Sequence, residues 1–505
     1  MRKIFISACL CLFIFKSYGQ KDLVHTNNNQ DSTFDYSPIQ KSEPNNYVEK
    51  REPYRVSPGL NMYGDLLNDD PTYNLKYPWW KPASRVLVAN AMLWGIDRYI
   101  FNFDFAHVGP STWSNSFKNG FEWDNDPFGV NFVGHPYTGN FYFNVARSNG
   151  YNFWQSFPFA LGGSLVWEFL GENTRPSYND IVNTPVSGAF IGEIFYRLSS
   201  NLLDDRRRGS NRVFREIAAG ILNPARAFNR LIQGKTSRIT PTEVYQKEPL
   251  NVTLFAGIHK VNEDRKFGTG ITNTLMNLQF DYGNPFEDRH RKPFDYFKLR
   301  TELTFNSNRK LVENVTGYGV LISKNVKVKN NDVMLGLFQH FDYWDNNLFE
   351  LGSIGFGPGI ISHLPLRKHS NLYSALHFAA VPLAGNSTHT SVDLDAKLRQ
   401  YNYGGGFEAK IDETLNLNNW ASIGFSAYYY WLTTYHGNPG FSQVAILKPR
   451  LTVRIMGNTS IGLEQHFYNN TRSLNDIPTF NVTTTEQKFF VLIYLEDKKR
   501  TGKFQ

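Results

Sequence analysis

Residues 162–193 read GGSLVWEFLGENTRPSYNDIVNTPVSGAFIGE, a largely apolar stretch that holds Glu168, Glu172, Asp180 and Glu193. Glu168 and Glu172 are four apart, so a helix would put them on one face. Two carboxylates that close repel when both are ionised; one keeps its proton, or a cation sits between them. Either state suits acid–base chemistry or cation binding. His135, in GHPYTGNFYFNVARSNG, adds an imidazole, and Arg147, Ser148 and Asn149 follow it. Ser177, Asn179, Asp180, Glu193 and Arg197 complete the candidate polar cluster. Each has a plainer reading. Glu172 would be solvated at a helix end, more exposed and more replaceable than Glu168. Ser177-x-x-Asp180 has the form of a capping box. Thr184-Pro185 resembles a second N-cap with proline at the first helical position. Gly188 and Gly192 would let two helices approach closely. Glu193 and Arg197 would be an ordinary ion pair four apart.

Helices must carry these residues. Apolar spacing predicts them over 83–101, 153–172 (with Pro158 inside), 186–203 and 212–234, the last broken at Pro224. None has the roughly 18 uninterrupted apolar residues of a spanning helix. Beyond Thr242 the period becomes two. FKLRTELTF puts Phe297, Leu299, Leu303 and Phe305 on one face, expected to meet lipid, and Lys298, Arg300, Glu302 and Thr304 on the other. YNYGGGFEAKI sets Tyr401, Tyr403, Phe407, Ala409 and Ile411 against Asn402, Glu408 and Lys410. Such segments fall at 251–260, 274–282, 296–306, 317–329, 332–342, 348–358, 371–383, 400–411, 421–432, 443–456, 459–468 and 485–496. About ten residues each, an even count near twelve and aromatic strand ends are the transmembrane barrel pattern. A soluble sandwich would alternate too, but the aromatic ends and an export signal favour the membrane.

That signal is MRKIFISACLCLFIFKSYG: Arg2 and Lys3, an apolar run from Ile4 to Phe15, then small residues up to Gly19. Both cysteines, Cys9 and Cys11, lie within it. Disulfides and thiol chemistry are thereby excluded from the mature chain. Removing Arg2, Lys3 and Lys16 lowers the net charge from +8 to +5, an excess that points to no nucleic acid. The expected organisation is a signal peptide over 1–19, an irregular segment over 20–82, a helical domain over 83–241, and a mainly β, about twelve-stranded antiparallel outer-membrane barrel over 242–505. Lys448, Arg450 and Arg454 join the inward charges named above.

The run HPYTG…ARSNG…FWQS…GGS..WEF.GE…PSYND…TPVSGAFIGE…YRLS resembles the bacterial outer-membrane family catalogued as domain of unknown function 3943, over roughly residues 120–230. That resemblance implies an envelope barrel protein and no defined activity. A looser likeness to VanZ-like envelope proteins falls on His135, Glu168, Ser177, Asp180, Gly188 and Gly192, with Thr184-Pro185 replacing an asparagine region. It implies a polar cluster on apolar helices near an envelope lipid or glycan. Arg147-Ser148-Asn149-Gly150 shares the tail of an outer-membrane phospholipase motif, but Ala146 stands where the histidine belongs. The nucleophile would lack its base.

Two functions follow. One is a non-catalytic barrel whose periplasmic or barrel-plugging helices serve a structural, gating or partner-binding role. The other is an envelope enzyme or binding protein acting on a lipid or glycolipid through His135, Glu168, Glu172 and Asp180, with Arg147 or Arg197 holding an anionic group. Catalysis is left open. No cofactor is expected and no metal-ligand set is assigned. The expected partners are outer-membrane lipid and the barrel-assembly machinery during biogenesis.

Overall fold

The computed structural model describes residues 76–240, 243–262, 266, 268–287, 291–305, 311–346, 348–366, 369–388, 401–418, 420–475 and 478–495. The expected signal peptide and residues 20–75 lie outside them.

Twelve strands form one closed antiparallel barrel: β1 (Leu250–Val261), β2 (Thr272–Tyr282), β3 (Phe297–Phe305), β4 (Val312–Val328), β5 (Asn331–Asp345), β6 (Phe349–Pro365), β7 (Asn371–Thr388), β8 (Asn402–Leu417), β9 (Ala421–His436), β10 (Gly440–Met456), β11 (Thr459–Leu474) and β12 (Phe480–Leu495). Each pairs with its sequence neighbours, and β1 closes the ring on β12. Closure leaves no unpaired strand edge, which a bilayer demands.

Bonds across the ring identify the inner face. Arg300 on β3 donates from Nη1 to Asp412 Oδ1 on β8 at 2.9 Å and to the Tyr428 hydroxyl on β9 at 2.7 Å. Lys448 on β10 lies over the Trp344 ring of β5, 5.4 Å from its centroid. Lys410 bonds Asp342, and Lys488 bonds Glu302. Alternation then turns the neighbouring side chains outward. Leu337, Phe378, Leu447, Leu463 and Phe489 point that way and are exposed. A charged, cross-linked interior and an apolar outer belt are the arrangement of a membrane barrel. Arg454 lies exposed towards the end of β10.

Among the described residues, seven α-helices precede the strands: α1 (Trp80–Tyr99), α2 (Pro110–Asn119), α3 (His135–Arg147), α4 (Phe153–Val166), α5 (Tyr178–Leu202), α6 (Gly209–Leu222) and α7 (Pro224–Ile232). Their packing surface on the barrel is its outer wall. Phe190 stacks on Phe341 with centroids 5.7 Å apart, and Phe128 on Tyr343 at 5.6 Å. Gln339 Nε2 donates to Val186 O at 3.0 Å. The Phe132 ring fills space that a Cβ at Gly352 or Gly385 would occupy, 2.2 and 2.5 Å away. Phe341, Tyr343, Gln339 and Gly352 alternate with inward Asp342, His340 and Ser353, so all of them face out. The helices thus neither fill the lumen nor stand clear of the barrel.

This placement corrects part of the strand-face expectation. Phe297, Leu299, Leu303 and Phe305 do share the outer face. Phe297 is 0 % and Leu299 8 % exposed, because the helices and the β2–β3 connection cover them; Phe305 remains exposed. A second correction concerns α5. It starts at Tyr178 and runs through Pro185, so Thr184-Pro185 is no N-cap. Proline inside a helix costs about 3 kcal/mol, which close packing against α3 offsets here. At Gly188 a Cβ would sit 2.4 Å from the Gly139 carbonyl carbon of α3; at Gly192 it would meet the Phe143 ring at 2.8 Å. Both glycines therefore permit helix contact. Pro224 does separate α6 from α7, with the Asn223 side chain accepting from Arg226 N at 3.0 Å.

Candidate functional site

The candidate residues separate into three groups. At one end of α3 and α5, His135, Glu168, Ser177, Asn179 and Asp180 come together. Each element delivers its side chain through an irregularity. A π-helical turn (Val130–Gly134) leads into His135, and a second (Trp167–Gly171) contains Glu168. Such turns rotate side chains out of ordinary helical register and recur at functional sites. Here the second turn ends the helix at Glu172, whose backbone is extended. Glu168 and Glu172 consequently diverge. Glu168, 2 % exposed, accepts the Ser177 N–H at 2.8 Å. Glu172, half-buried, accepts from Trp167 Nε1 at 2.6 Å and from the Thr174 hydroxyl at 3.2 Å. Ser177 is the N-cap residue of α5, but its backbone N–H rather than its hydroxyl is what Glu168 uses.

Asp180 receives Asn179 Nδ2 at 2.9 Å and lies 3.5 Å from His135 Nε2, while the Thr184 hydroxyl lies 3.3 Å from His135 Nδ1. Two further acids, absent from the sequence expectations, join them from the loop before α3. The Tyr403 hydroxyl donates to Asp124 Oδ1 at 2.7 Å, as does Asn131 Nδ2 at 2.9 Å. Asn131 Nδ2 also reaches the Tyr401 and Tyr403 hydroxyls, both at 2.7 Å, and its Oδ1 accepts from Asn179. The rim of β8 thereby supports the centre from the barrel side. Asp124-x-Asp126, two acids one residue apart, is the signal the sequence offers for them.

Burial separates the protonation states of these groups. It raises Glu168 well above the usual carboxylate range, with Glu172 adding to the effect. It raises Asp180 likewise, with Asp124 and Glu168 adding to it. Burial alone would raise Asp124 too, but hydrogen bonds from Asp180, Tyr403 and Asn179 and the nearby His135 hold it below its ordinary value. The two shifts run in opposite directions across the Asp180–Asp124 hydrogen bond, favouring the proton on Asp180 and the charge on Asp124. Burial lowers His135, favouring the neutral ring, and lifts Asp126 to about 6. A neutral imidazole, a charged carboxylate and a protonated one in contact are the components of proton transfer. One donor atom each from His135, Glu168 and Asp180 lies within 4.8 Å of the others, as does one each from Asp124, Asp126 and His135. Oxygen donors with an imidazole also suit a divalent cation.

The second group is a guanidinium clamp. Arg147 grips Glu193 with Nε at 2.7 Å and Nη2 at 2.9 Å. Arg197 donates from Nε to Glu193 at 2.9 Å, then crosses to Asp295 at 2.8 Å and the Pro293 carbonyl at 2.7 Å. Those last partners belong to the β2–β3 connection, so the clamp ties α3 and α5 to the barrel. Burial would raise Glu193, but the two arginines hold it below the ordinary range. Arg147 and Arg197 therefore stand away from the His135 centre.

The third group is Ser148 with Asn149. Ser148 donates to Asn144 O at 2.5 Å and accepts from Asn229 at 2.6 Å. Asn149 Oδ1 accepts from Arg85 at 2.7 Å and Gln233 at 3.0 Å. These bonds join α3 to α1 and α7 and occupy the serine with amides.

No curated protein matches the chain. Among solved structures it is similar to a NanC porin, 10 % identical with a TM-score of 0.29, over 48 % of this chain and 100 % of the other. It is also similar to OmpT, an outer membrane protein of Vibrio cholerae (6 %, TM-score 0.22, 49 % and 96 %), and to the outer membrane channel DcaP of Acinetobacter baumannii (7 %, TM-score 0.23, 49 % and 96 %). Likenesses that faint carry no argument, and the outer-membrane location rests on the chain's own closed barrel and apolar wall. The family model of a domain of unknown function, DUF3943, matches residues 120–225, which span the His135 centre and the clamp. The chain is an outer-membrane β-barrel protein, and its stretch similar to DUF3943, residues 120–225, lies against the outside of the barrel.

Proposed function

We propose that the helical domain binds or processes the polar part of an envelope amphiphile at the centre formed by His135, Asp124, Glu168 and Asp180. The observation that carries this reading is the convergence of those buried groups at one point beside two π-helical turns. His135 would take or hand on a proton, Asp180 would supply one through Asp124, and Glu168 would fix the Ser177 backbone beside them. A gate or plug is less well supported, because the helices pack on the outer wall.

The test is mass spectrometry of amphiphiles that co-purify with the full chain, and of the outer membrane itself, for wild type, His135→Ala, Asp180→Asn and Glu168→Gln. Unboiled gel mobility reports whether each barrel has assembled. Altered amphiphile content in assembled variants supports the proposal. Assembled variants with an unchanged complement overturn it. A purely structural reading is favoured by one observation, the Ser177 N–H on Glu168. It predicts that Glu168→Ala misfolds and that Glu168→Gln restores the fold and every phenotype.

A further inference from the structure

Three helices of the domain are amphipathic in the sense opposite to that of a water-soluble protein. On α1 the inward side holds Asn90 and Asp97 beside Pro82 and Val86, while Leu87, Val88 and Met92 are exposed. On α6 the inward side holds Arg212, with Glu216 bonded to Arg230 behind it; Phe214, Ile217 and Ile221 are exposed, Phe214 to 73 %. On α7 Arg226, Asn229 and Arg230 turn inward, and Phe228, Leu231 and Ile232 turn out. The inward amide of Asn90 and the inward arginines are satisfied. Arg230 meets Asp205 at 2.9 Å and Glu216 at 2.6 Å, and Arg226 donates to the Tyr196 carbonyl at 2.7 Å. A chain bathed in water would bury the phenylalanine and isoleucines and leave the arginines outside.

The barrel shows the same inversion, with charges within and an apolar belt outside. α5 packs on that belt, and α1, α6 and α7 pack in turn on α3, α4 and α5, so their apolar faces turn away from the protein on the side of the wall that meets lipid. No helix among the described residues is long and apolar enough to cross a membrane, so these faces border the acyl layer without spanning it. Basic residues flank them: Arg206, Arg207 and Arg208 precede α6 and are exposed; Arg206 and Arg207 pair with Asp204, and Arg208 beside them adds positive charge suited to lipid phosphates.

We propose that the outer faces of α1, α6 and α7 are lipid-contacting surfaces, so that the helical domain is seated in the bilayer against the barrel wall rather than in water. The bilayer is the occupant that matches the inversion, which these helices share with the barrel wall on whose outer side they lie. This inference rests on the domain's outer surface and stands whether or not the His135 centre acts on an amphiphile.

Both cysteines fall in residues 1–19, so single cysteines are clean probes in the exported chain. The full chain carrying Phe214→Cys, Ile217→Cys, Leu231→Cys or Leu87→Cys is labelled with an environment-sensitive fluorophore. It is then reconstituted into phosphatidylcholine vesicles with and without bromine on the acyl chains. Leu376→Cys, exposed on the outer face of β7, marks the lipid-contacting limit. Bromine should quench the helix labels to within about twofold of the Leu376 label. Labels that stay unquenched while Leu376→Cys is quenched overturn the proposal. So does emission that is blue-shifted in the full chain and red-shifts once residues 20–75 are deleted, since that segment would then be the cover. So does emission that depends on protein density in the vesicle, which would make a second copy the cover.

Discussion

Glu168 and Glu193 are both buried, on successive helical segments of one domain, and they are answered in opposite ways. Glu193 is surrounded by guanidinium: Arg147 takes both its oxygens, and Arg197 shares one of them before crossing to Asp295. Glu168 is answered by a backbone N–H, and its nearest charged company includes other acids. A buried ion pair with matched partners fixes geometry and resists change. A buried set of acids around an imidazole keeps protons that exposed carboxylates would lose and is placed for exchange or for a cation. The domain therefore separates attachment from chemistry along the length of α5, with the clamp towards one end and the centre at the other.

Changes that break the clamp should have the largest effect. Glu193→Ala leaves two arginines buried beside each other and should cost about 3–5 kcal/mol, read as early protease cutting of the helices during heating. A loss below about 1 kcal/mol, the size of a surface pair, would mean that the clamp does not hold the domain. The wall beneath it can be probed next. Phe378→Arg, on an exposed outward position of β7, should hinder assembly by about 2–4 kcal/mol if it lies near the bilayer midplane. Leu299→Arg, on the covered part of the same wall, should instead release the helices while the barrel still shows its unboiled gel mobility. Equal tolerance of Phe378→Arg and of Arg at inward Thr304 would reverse the assigned faces.

Between clamp and centre, Gly188→Ala pushes a methyl into the Gly139 backbone and should cost about 1–3 kcal/mol, seen as a lowered midpoint in thermal unfolding. Unchanged stability would show that α3 and α5 part without penalty. The smallest effect on stability belongs to the centre. Asp180→Asn should stay within about 1 kcal/mol of wild type, because the carboxyl it replaces is already protonated. The pH dependence has opposite signs at the two ends. Asp180 is held above its ordinary 3.8 in the folded chain, so its contribution is complete below that pH and fades as pH rises through the folded value. Glu193 is held below 4.5, so its contribution is complete above 4.5 and disappears on acidification. Unfolding midpoints measured across pH should flatten on the alkaline side in Asp180→Asn and on the acid side in Glu193→Gln. The reverse pattern would exchange the roles given to the two sites.

The barrel was legible because period-two alternation survives in nearly every strand, as in FKLRTELTF, where polar lumen residues alternate with outward Phe297, Leu299, Leu303 and Phe305, broken only by Thr301. The helix over His135–Arg147 was not. HPYTGNFYFNVAR has no apolar stripe, since Asn140 and Asn144 are among its buried residues and Gly139 lies in its contact with α5. Pro185 misled for a related reason: local preference marks a helix start, and packing overrides it. The exposure of Phe297 and Leu299 was unreadable because one strand face serves two neighbours, lipid further along and protein at the start. The pairing of Glu193 with Arg197 followed from their spacing of four, but Arg147 and Asp295 come from distant segments that no local pattern connects to it.

The bonds that cross the barrel also have a mechanical consequence. A hollow cylinder of strands is soft towards flattening, and lateral pressure from a bilayer would readily make it elliptical. Arg300 with Asp412, and Lys448 against Trp344, join strands on opposite sides of the ring and act as struts across that soft direction. The curvature of the wall then stays constant under load. The shallow seat of Phe132 at Gly352 and Gly385 depends on that curvature, so the charged interior works as a brace for what is mounted outside it.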